Sequence, residues 1–326
     1  MIITRTPFRV SFLGGGTDIP WFYETGGGAV ISTSINRYMY LSGHPMFDSG
    51  EILLKYSKTE RVSDASSIEH PIAREVLTME QLNAVDISVN ADFPAGSGLG
   101  SSSAFTVGLA LLAAKLKGRQ PSQAEIARTA CHVEIERLGE PIGKQDQYAS
   151  AYGGLNELQF QPNGNVDVLP VVLDDDAQSW LSRSMVLVRV NQSTRSASAI
   201  LEKQRTEVLL DTTKMDSMRN LYELTKEAII AIRSDIRVLP EFVNEGWRLK
   251  KIGSSGSTTD EIDELITFGL SAGARGAKML GAGASGFVLF LVDPETRDQF
   301  ADKFSHRVEL VAPEGDGAVV IYSDVE

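Results

Sequence analysis

Cysteine is almost missing from this chain: Cys131 is the only one in 326 residues. One thiol makes neither an internal disulfide nor a cysteine metal cluster, so the fold stands without covalent staples and a reducing cytoplasm is the expected compartment. Histidine is also sparse. His44, His70, His132 and His306 show no HExxH or other metal spacing. Long apolar runs are absent too: nothing approaches the ~20 residues of a membrane span, and the start MIITRTPFRVSFLGGG has no apolar stretch ending in a cleavage site. Secretion and membrane insertion are therefore not expected. Basic charge is in deficit, with 31 Lys and Arg against 43 Asp and Glu for a net charge of -12. Such a field repels nucleic-acid backbones and anionic membranes, and no segment interleaves basic with aromatic side chains. Neither partner is expected. Internal repeats and low-complexity tracts are missing as well.

What remains is an ordinary globular balance, 42% apolar and 23% charged, in a chain long enough for two domains. The first forty residues alternate β-branched runs with glycine clusters, as strands and tight turns do. The run Ser101 to Gly118 is apolar on nearly every side and predicts a buried central helix. Ser122 and Glu125 have capping-box spacing and predict a second helix that stops at Gly139. The acidic stretch DDDAQSW interrupts the apolar pattern, which places a boundary between units at 1–180 and 181–326. From Ser196 to about Lys251 the spacing is helical, enough for two or three helices. Strands and helices mix in both halves without a strict βαβ rhythm, so the expected class is α+β rather than a doubly wound sheet.

Four stretches could carry chemistry. In PAGSGLGSSSAF, Gly96, Ser97, Gly98, Leu99, Gly100, Ser101, Ser102 and Ser103 lie between a predicted strand and the start of the buried helix. Backbone N–H groups and the helix dipole converge there on an anion cradle. A Walker loop carries a Lys after its last glycine and this one does not, so charge compensation must come from backbone and a metal. The bland alternative is a flexible turn before a core helix. In the second stretch, Glu134 shares a helix face with Ala127, Ala130, Cys131 and Leu138, so it points inward, whereas Glu136 does not. A buried carboxylate needs a cation, either an arginine or Mg²⁺, which takes one or two carboxylates plus phosphate oxygens. Asp146, in KQDQY, reads alone as an N-cap. The third stretch, TPFRVSFLGGGTD, places Arg9 on a strand and delivers Asp18 to a loop through Gly15, Gly16 and Thr17. The fourth, KMLGAGASG, is a glycine loop around Gly281, Gly283 and Gly286, equally compatible with a tight bend.

Taken in this order, the four stretches resemble the GHMP kinases, the superfamily of galactokinase, homoserine kinase, mevalonate kinase and phosphomevalonate kinase. GGGTD followed by a WF pair, GGGAV, and KQDQYASAYGG are most similar to its D-glycero-D-manno-heptose 7-phosphate kinase branch. The resemblance implies an N-terminal domain like a ribosomal-protein fold, a ferredoxin-like C-terminal domain, and an active site in the cleft between them. ATP and Mg²⁺ are the implied cofactors, and a small sugar or sugar phosphate the implied partner; a homodimer stays open.

The same resemblance implies residue roles. Gly96 to Ser103 match the phosphate loop, Ser102 and Glu134 the Mg²⁺ ligands, and Asp146 the catalytic base with Arg9 beside it. Asp18 matches the aspartate that binds sugar hydroxyls, and Gly281 to Gly286 an active-site loop. Arg195, in NQSTRSAS, is a candidate substrate contact or simply a surface arginine. Galactokinases carry Glu-His where this chain has Gly15 and Gly16, which disfavours galactose and leaves volume for a larger sugar. Ala284 and Ser285 also depart from the usual glycines of the last loop. The implied activity is ATP-dependent phosphorylation of the anomeric hydroxyl of heptose 7-phosphate, feeding activated heptose for capsule or lipopolysaccharide. Phosphorylation of fucose, mannose or galactose, or sugar and ATP sensing without turnover, are the alternatives.

Overall fold

The computed structural model describes residues 1–47, 49–190 and 197–324, and two β-sheets divide them. The first half contributes β1 (Ile2–Leu13), α1 (Pro20–Tyr23), β2 (Gly28–Pro45), β3 (Ile52–Lys55), β4 (Thr59–Val62), α2 (Pro71–Met79) and β5 (Val85–Ala91). It continues with α3 (Ser101–Leu116), α4 (Gln123–Cys131), α5 (Gln145–Tyr152), β6 (Leu155–Phe160) and β7 (Val166–Pro170). The second half runs α6 (Asp175–Ser184), β8 (Met185–Arg189), α7 (Ala197–Leu210), α8 (Thr212–Ser234), α9 (Leu239–Gly253) and α10 (Asp260–Ser271). It closes with β9 (Gly276–Met279), β10 (Phe287–Leu291), α11 (Arg297–Ala301), β11 (Val308–Leu310) and β12 (Val319–Ser323).

The larger sheet has the order β12-β1-β2-β5-β3-β4, with β6 and β7 continuing from β2. Its long strand β2 pairs with β6 over residues 28–33 and with β5 over residues 39–45, while β1 runs antiparallel along most of it. Every side chain of β1 from Thr6 to Leu13 is buried, because α3 covers one face and the second half packs on the other. Helix α3 is buried from Ser103 to Ala114, as its all-round apolar sequence requires. It approaches the sheet closely: a Cβ at Gly108 would stand 2.8 Å from Thr6 Oγ1. This seating fixes where the N-terminus of α3 points.

The capping box before α4 is present in both directions, Glu125 N–H to Ser122 Oγ and Ser122 N–H to Glu125. Ser122→Ala is expected to cost about 1 kcal/mol in denaturant unfolding while leaving turnover unchanged, since the cap lies outside the cleft. The acidic stretch is no interruption. Asp174 accepts from Ala177 N–H at 2.8 Å and caps α6, with Asp175 and Asp176 in its first turn, where the helix dipole favours them.

The smaller sheet is antiparallel with order β11-β8-β10-β9. Two crossovers carrying helices flank a β9–β10 hairpin, which is the ferredoxin-like arrangement. Strand β12 then leaves this unit and pairs antiparallel with β1. We propose residue 180 as the first boundary; the expected division into 1–180 and 181–326 places β12 in the second unit, whereas its hydrogen bonds are in the first sheet.

Candidate active site

The phosphate-loop candidate leaves β5 and enters α3 through Gly96, Gly98 and Gly100, all left-handed at φ 75°, 75° and 77°. Gly100 is the N-cap of α3 and supplies no side-chain acceptor, so the first-turn N–H groups face the cleft for another partner. A Cβ on Gly100 would meet Arg9 Cγ at 3.2 Å and Asp146 Oδ2 at 3.3 Å. The glycine thus lets the loop lie directly against that pair.

Arg9 and Asp146 form a bidentate ion pair, Nε to Oδ1 and Nη2 to Oδ2, each at 2.7 Å. The third arm, Nη1, donates to Gly98 O at 2.7 Å, so one guanidinium ties strand, loop and helix α5 together. Asp146 is not an N-cap: the cap of α5 is Lys144, and Asp146 stands in the first turn facing β1. Asp18 is buried nearby, accepting from Gly16 N–H at 2.8 Å, Gln145 N–H at 3.1 Å and Gln145 Nε2 at 3.2 Å. Burial pushes its carboxyl above the usual range, against those backbone donors. Gly143 makes the approach possible, because a Cβ there would stand 1.9 Å from Asp18 Oδ2. Gly143→Ala is expected to push the Asp18 carboxyl out of its hydrogen bonds to Gly16 and Gln145 and to cost about 1–3 kcal/mol of stability; a urea melt checks it.

Glu134 does point inward, 1% exposed. The helix does not stay α to Gly139, however. After Cys131 it widens into a π-helix over His132–Arg137, where Leu138 N–H reaches back to Val133 O, and such turns recur at functional sites. The carboxylate accepts from Ser102 Oγ at 2.6 Å, Ser103 Oγ at 2.8 Å and Gln147 Nε2 at 2.6 Å. No basic side chain pairs with it among the described residues, and burial raises its pKa despite these donors. A desolvated carboxylate beside a hydroxyl and the phosphate-loop candidate fits a hard divalent cation. The described residues hold no cluster of three His, Cys, Asp or Glu, which suits Mg²⁺ shared with phosphate oxygens rather than an all-protein cage.

These groups meet in one cleft of about 320 Å³, lined by Arg9, Gly15, Gly16, Asp18, Gly96, Gly98, Gly100, Ser101, Ser102, Ser103, Glu134, Asp146 and Gly281. Thr17 is not on its wall: its hydroxyl is taken by Gly14 O and Ala29 O, holding the glycine turn. Ser97 and Leu99 face the interior. Gly283 and Gly286 stand behind Gly281, where a Cβ would strike Ser257 and Ser97. Arg195 lies outside the described residues. Lys250, Lys278, Gln145 and Gln204 also line the cleft and were not anticipated. The signal existed for Lys250, which shares the inward face of α9 with Val243, Gly246 and Trp247, and for Lys278 in an otherwise apolar strand.

Comparison with known proteins shows the family and the fold. Residues 68–154 match the model of the GHMP kinases N terminal domain, and residues 225–309 that of the GHMP kinases C terminal. The D-glycero-alpha-D-manno-heptose 7-phosphate kinase of Campylobacter jejuni is 32% identical over 90% of each chain. In fold, the chain is similar to the D-glycero-D-manno-heptose 1-phosphate kinase of Bacteriodes thetaiotaomicron, with TM-score 0.79 and 24% identity over 99% of this chain and 100% of that one. Lactococcus lactis galactokinase, complexed with galactose, has the same fold at TM-score 0.73 and 17% identity, over 98% and 94% of the two chains. With both domain models matched in order along a two-domain α+β fold, this chain belongs to the GHMP kinases and is an ATP-dependent phosphotransferase.

Proposed function

We propose that the chain phosphorylates the anomeric hydroxyl of D-glycero-D-manno-heptose 7-phosphate, giving the 1,7-bisphosphate on a route to activated heptose for capsule or lipopolysaccharide. The observation that carries the site is the Arg9–Asp146 pair, which sits against Gly98 and Gly100 at the end of the phosphate loop. An acceptor hydroxyl placed at Asp146 is thereby aimed at the terminal phosphate of ATP held by residues 96–103. Two arginine bonds leave lone pairs on both Asp146 oxygens, so the carboxylate can still take a proton. As the acceptor O–P bond forms and the bond to the β-phosphate oxygen breaks, that proton passes to Asp146 and ADP leaves. Ser102 and Glu134 would hold Mg²⁺, which supplies neutralisation of phosphate charge.

The sugar reading has support of its own. A Cβ on Gly15 would stand 3.4 Å from Gln145 Nε2 and 3.5 Å from Ser11 Oγ, and Ser11 Oγ and Gln145 Oε1 are buried without hydrogen-bond partners among the described residues. The space left by Gly15 is thus bordered by polar atoms that a polyhydroxyl ligand can satisfy, while Asp18 accepts from a further hydroxyl. The heptose reading follows the Campylobacter jejuni relative. The test is a panel of sugars and sugar phosphates with ATP, read by ADP formation and phosphorus NMR. The expected product carries its new phosphorus on the anomeric carbon of heptose 7-phosphate. Faster turnover of an unphosphorylated sugar, or a phosphate at another carbon, overturns the assignment.

A further inference from the structure

Two ammonium groups in the cleft have no part in the roles above. Lys250 on α9 and Lys278 on β9 both line it, and neither pairs with a carboxylate among the described residues. Lys278 donates to Ser11 O at 2.9 Å and Phe12 O at 3.0 Å, so it mainly ties β9 to β1. Among the described residues Lys250 makes one bond, to Gly281 O at 2.6 Å, which leaves two N–H donors free. Gly281 in turn abuts the phosphate loop, since a Cβ on it would stand 2.7 Å from Gly98 Cα. Arg9 holds the oxygen of that same Gly98. Lys250 therefore stands at the seam of the phosphate loop, the Arg9–Asp146 pair and the second unit's glycine loop.

A desolvated ammonium held in no direct ion pair is costly, and this one stands among two more cations, Arg9 and Lys278, as well as the carboxylates of Asp18 and Asp146. Burial lowers Lys250 to about 8 and holds Lys278 well below the usual lysine range. Arg9 is already paired with Asp146, so an incoming anion chiefly relieves the two lysines. The phosphate loop lacks the lysine with which a Walker loop reaches the β- and γ-phosphates. We propose that Lys250 supplies this missing cation from the second unit, its free N–H groups binding oxygens of the γ-phosphoryl group as that group passes from ATP to the acceptor. A phosphate carried by the acceptor is the competing anion. The position of Lys250 beside Gly98 and Asp146 favours the transferring group, because a 7-phosphate lies at the far end of the sugar from the reacting anomeric oxygen. The inference rests on ATP's phosphates lying at residues 96–103, as proposed above; the identity of the sugar bears only on the choice against an acceptor phosphate.

The test compares Lys250→Gln and Lys250→Arg with wild type for binding of Mg-ADP and of a non-hydrolysable ATP analogue by calorimetry without acceptor, then for kcat. Lys250→Gln is expected to weaken the analogue at least about tenfold, leave ADP within about twofold, and lower kcat about 10²-fold to 10³-fold. Lys250→Arg should recover much of both losses. Wild-type affinity for the analogue should also fall as pH rises past about 8, with Arg9, Lys278, Asp18 and Asp146 the charged groups facing the ammonium. In Lys250→Arg that fall should vanish. Equal weakening of ADP and analogue, or a raised acceptor KM with unchanged analogue affinity, overturns the proposal. ADP affinity unchanged in Gly98→Val would fail the loop assignment instead, and inactivity of wild type on heptose 7-phosphate would fail only the sugar assignment.

Discussion

Asp146→Asn is expected to lower kcat about 10²-fold to 10⁴-fold while ATP affinity stays within about twofold. The reason is local. Asp146 bonds only to Arg9 among the described side chains, and 23% of its side chain stays open to the cleft, so an oxygen remains available to an acceptor hydroxyl. Asparagine keeps the shape and one acceptor oxygen but cannot take a proton, and its amide opposes an arginine N–H. Nucleotide affinity should survive because helix α3 is seated on β1 where Gly108 meets Thr6, and because Arg9 keeps its own bond to Gly98 O when residue 146 changes. Stopped-flow or steady-state turnover beside calorimetric ATP binding separates the two quantities. Retained turnover in Asp146→Asn removes the base assignment; loss of ATP binding with turnover would make Asp146 a scaffold for the loop.

Glu134→Gln should weaken apparent Mg²⁺ affinity in the ATP reaction by about tenfold to a hundredfold, a loss that even residues behind a metal's ligands produce. Glu136→Gln should change it less than about twofold. The contrast is set by burial: Glu134 is enclosed with Ser102, Ser103 and Gln147, while Glu136 is exposed and bonded to His132. Removing the Glu134 charge also relieves a desolvation cost, so the variant should be at least as resistant to denaturant as wild type. Mg²⁺ titrations at saturating ATP measure the first effect, and urea melts the second. Equal responses of the two variants remove Glu134 from the metal site.

The inward orientation of Glu134 was readable because one helical turn carries it past Ala127, Ala130 and Cys131, and a local rule needs only local sequence. The widening of that helix was not readable. A π-turn depends on what its carbonyls meet in the fold, and Glu134 lies inside the widened stretch, against the start of α3. Asp146 illustrates the opposite failure: its neighbours suggested a cap, whereas its partner Arg9 is 137 positions away. In the sequence only the family resemblance joins the two residues; in the fold the ion pair does. Lys250 and Lys278 went unnoticed although each broke an apolar face, the same argument that singled out Glu134. The acidic stretch misled because three consecutive acids look like solvated linker, yet one caps a helix and two favour its dipole.

The return of β12 to β1 carries a consequence for biosynthesis. While the chain is being translated, the outer edge of β1 waits unpaired until the whole ferredoxin-like unit has emerged from the ribosome, and an open strand edge invites pairing with other nascent chains. The second unit is thus spliced into the first as an insert, crossed by the backbone twice. A fragment released after residue 180 keeps residues 96–103 but not the strand that seals its sheet, so it should sediment as aggregate to a greater extent than the uncut chain.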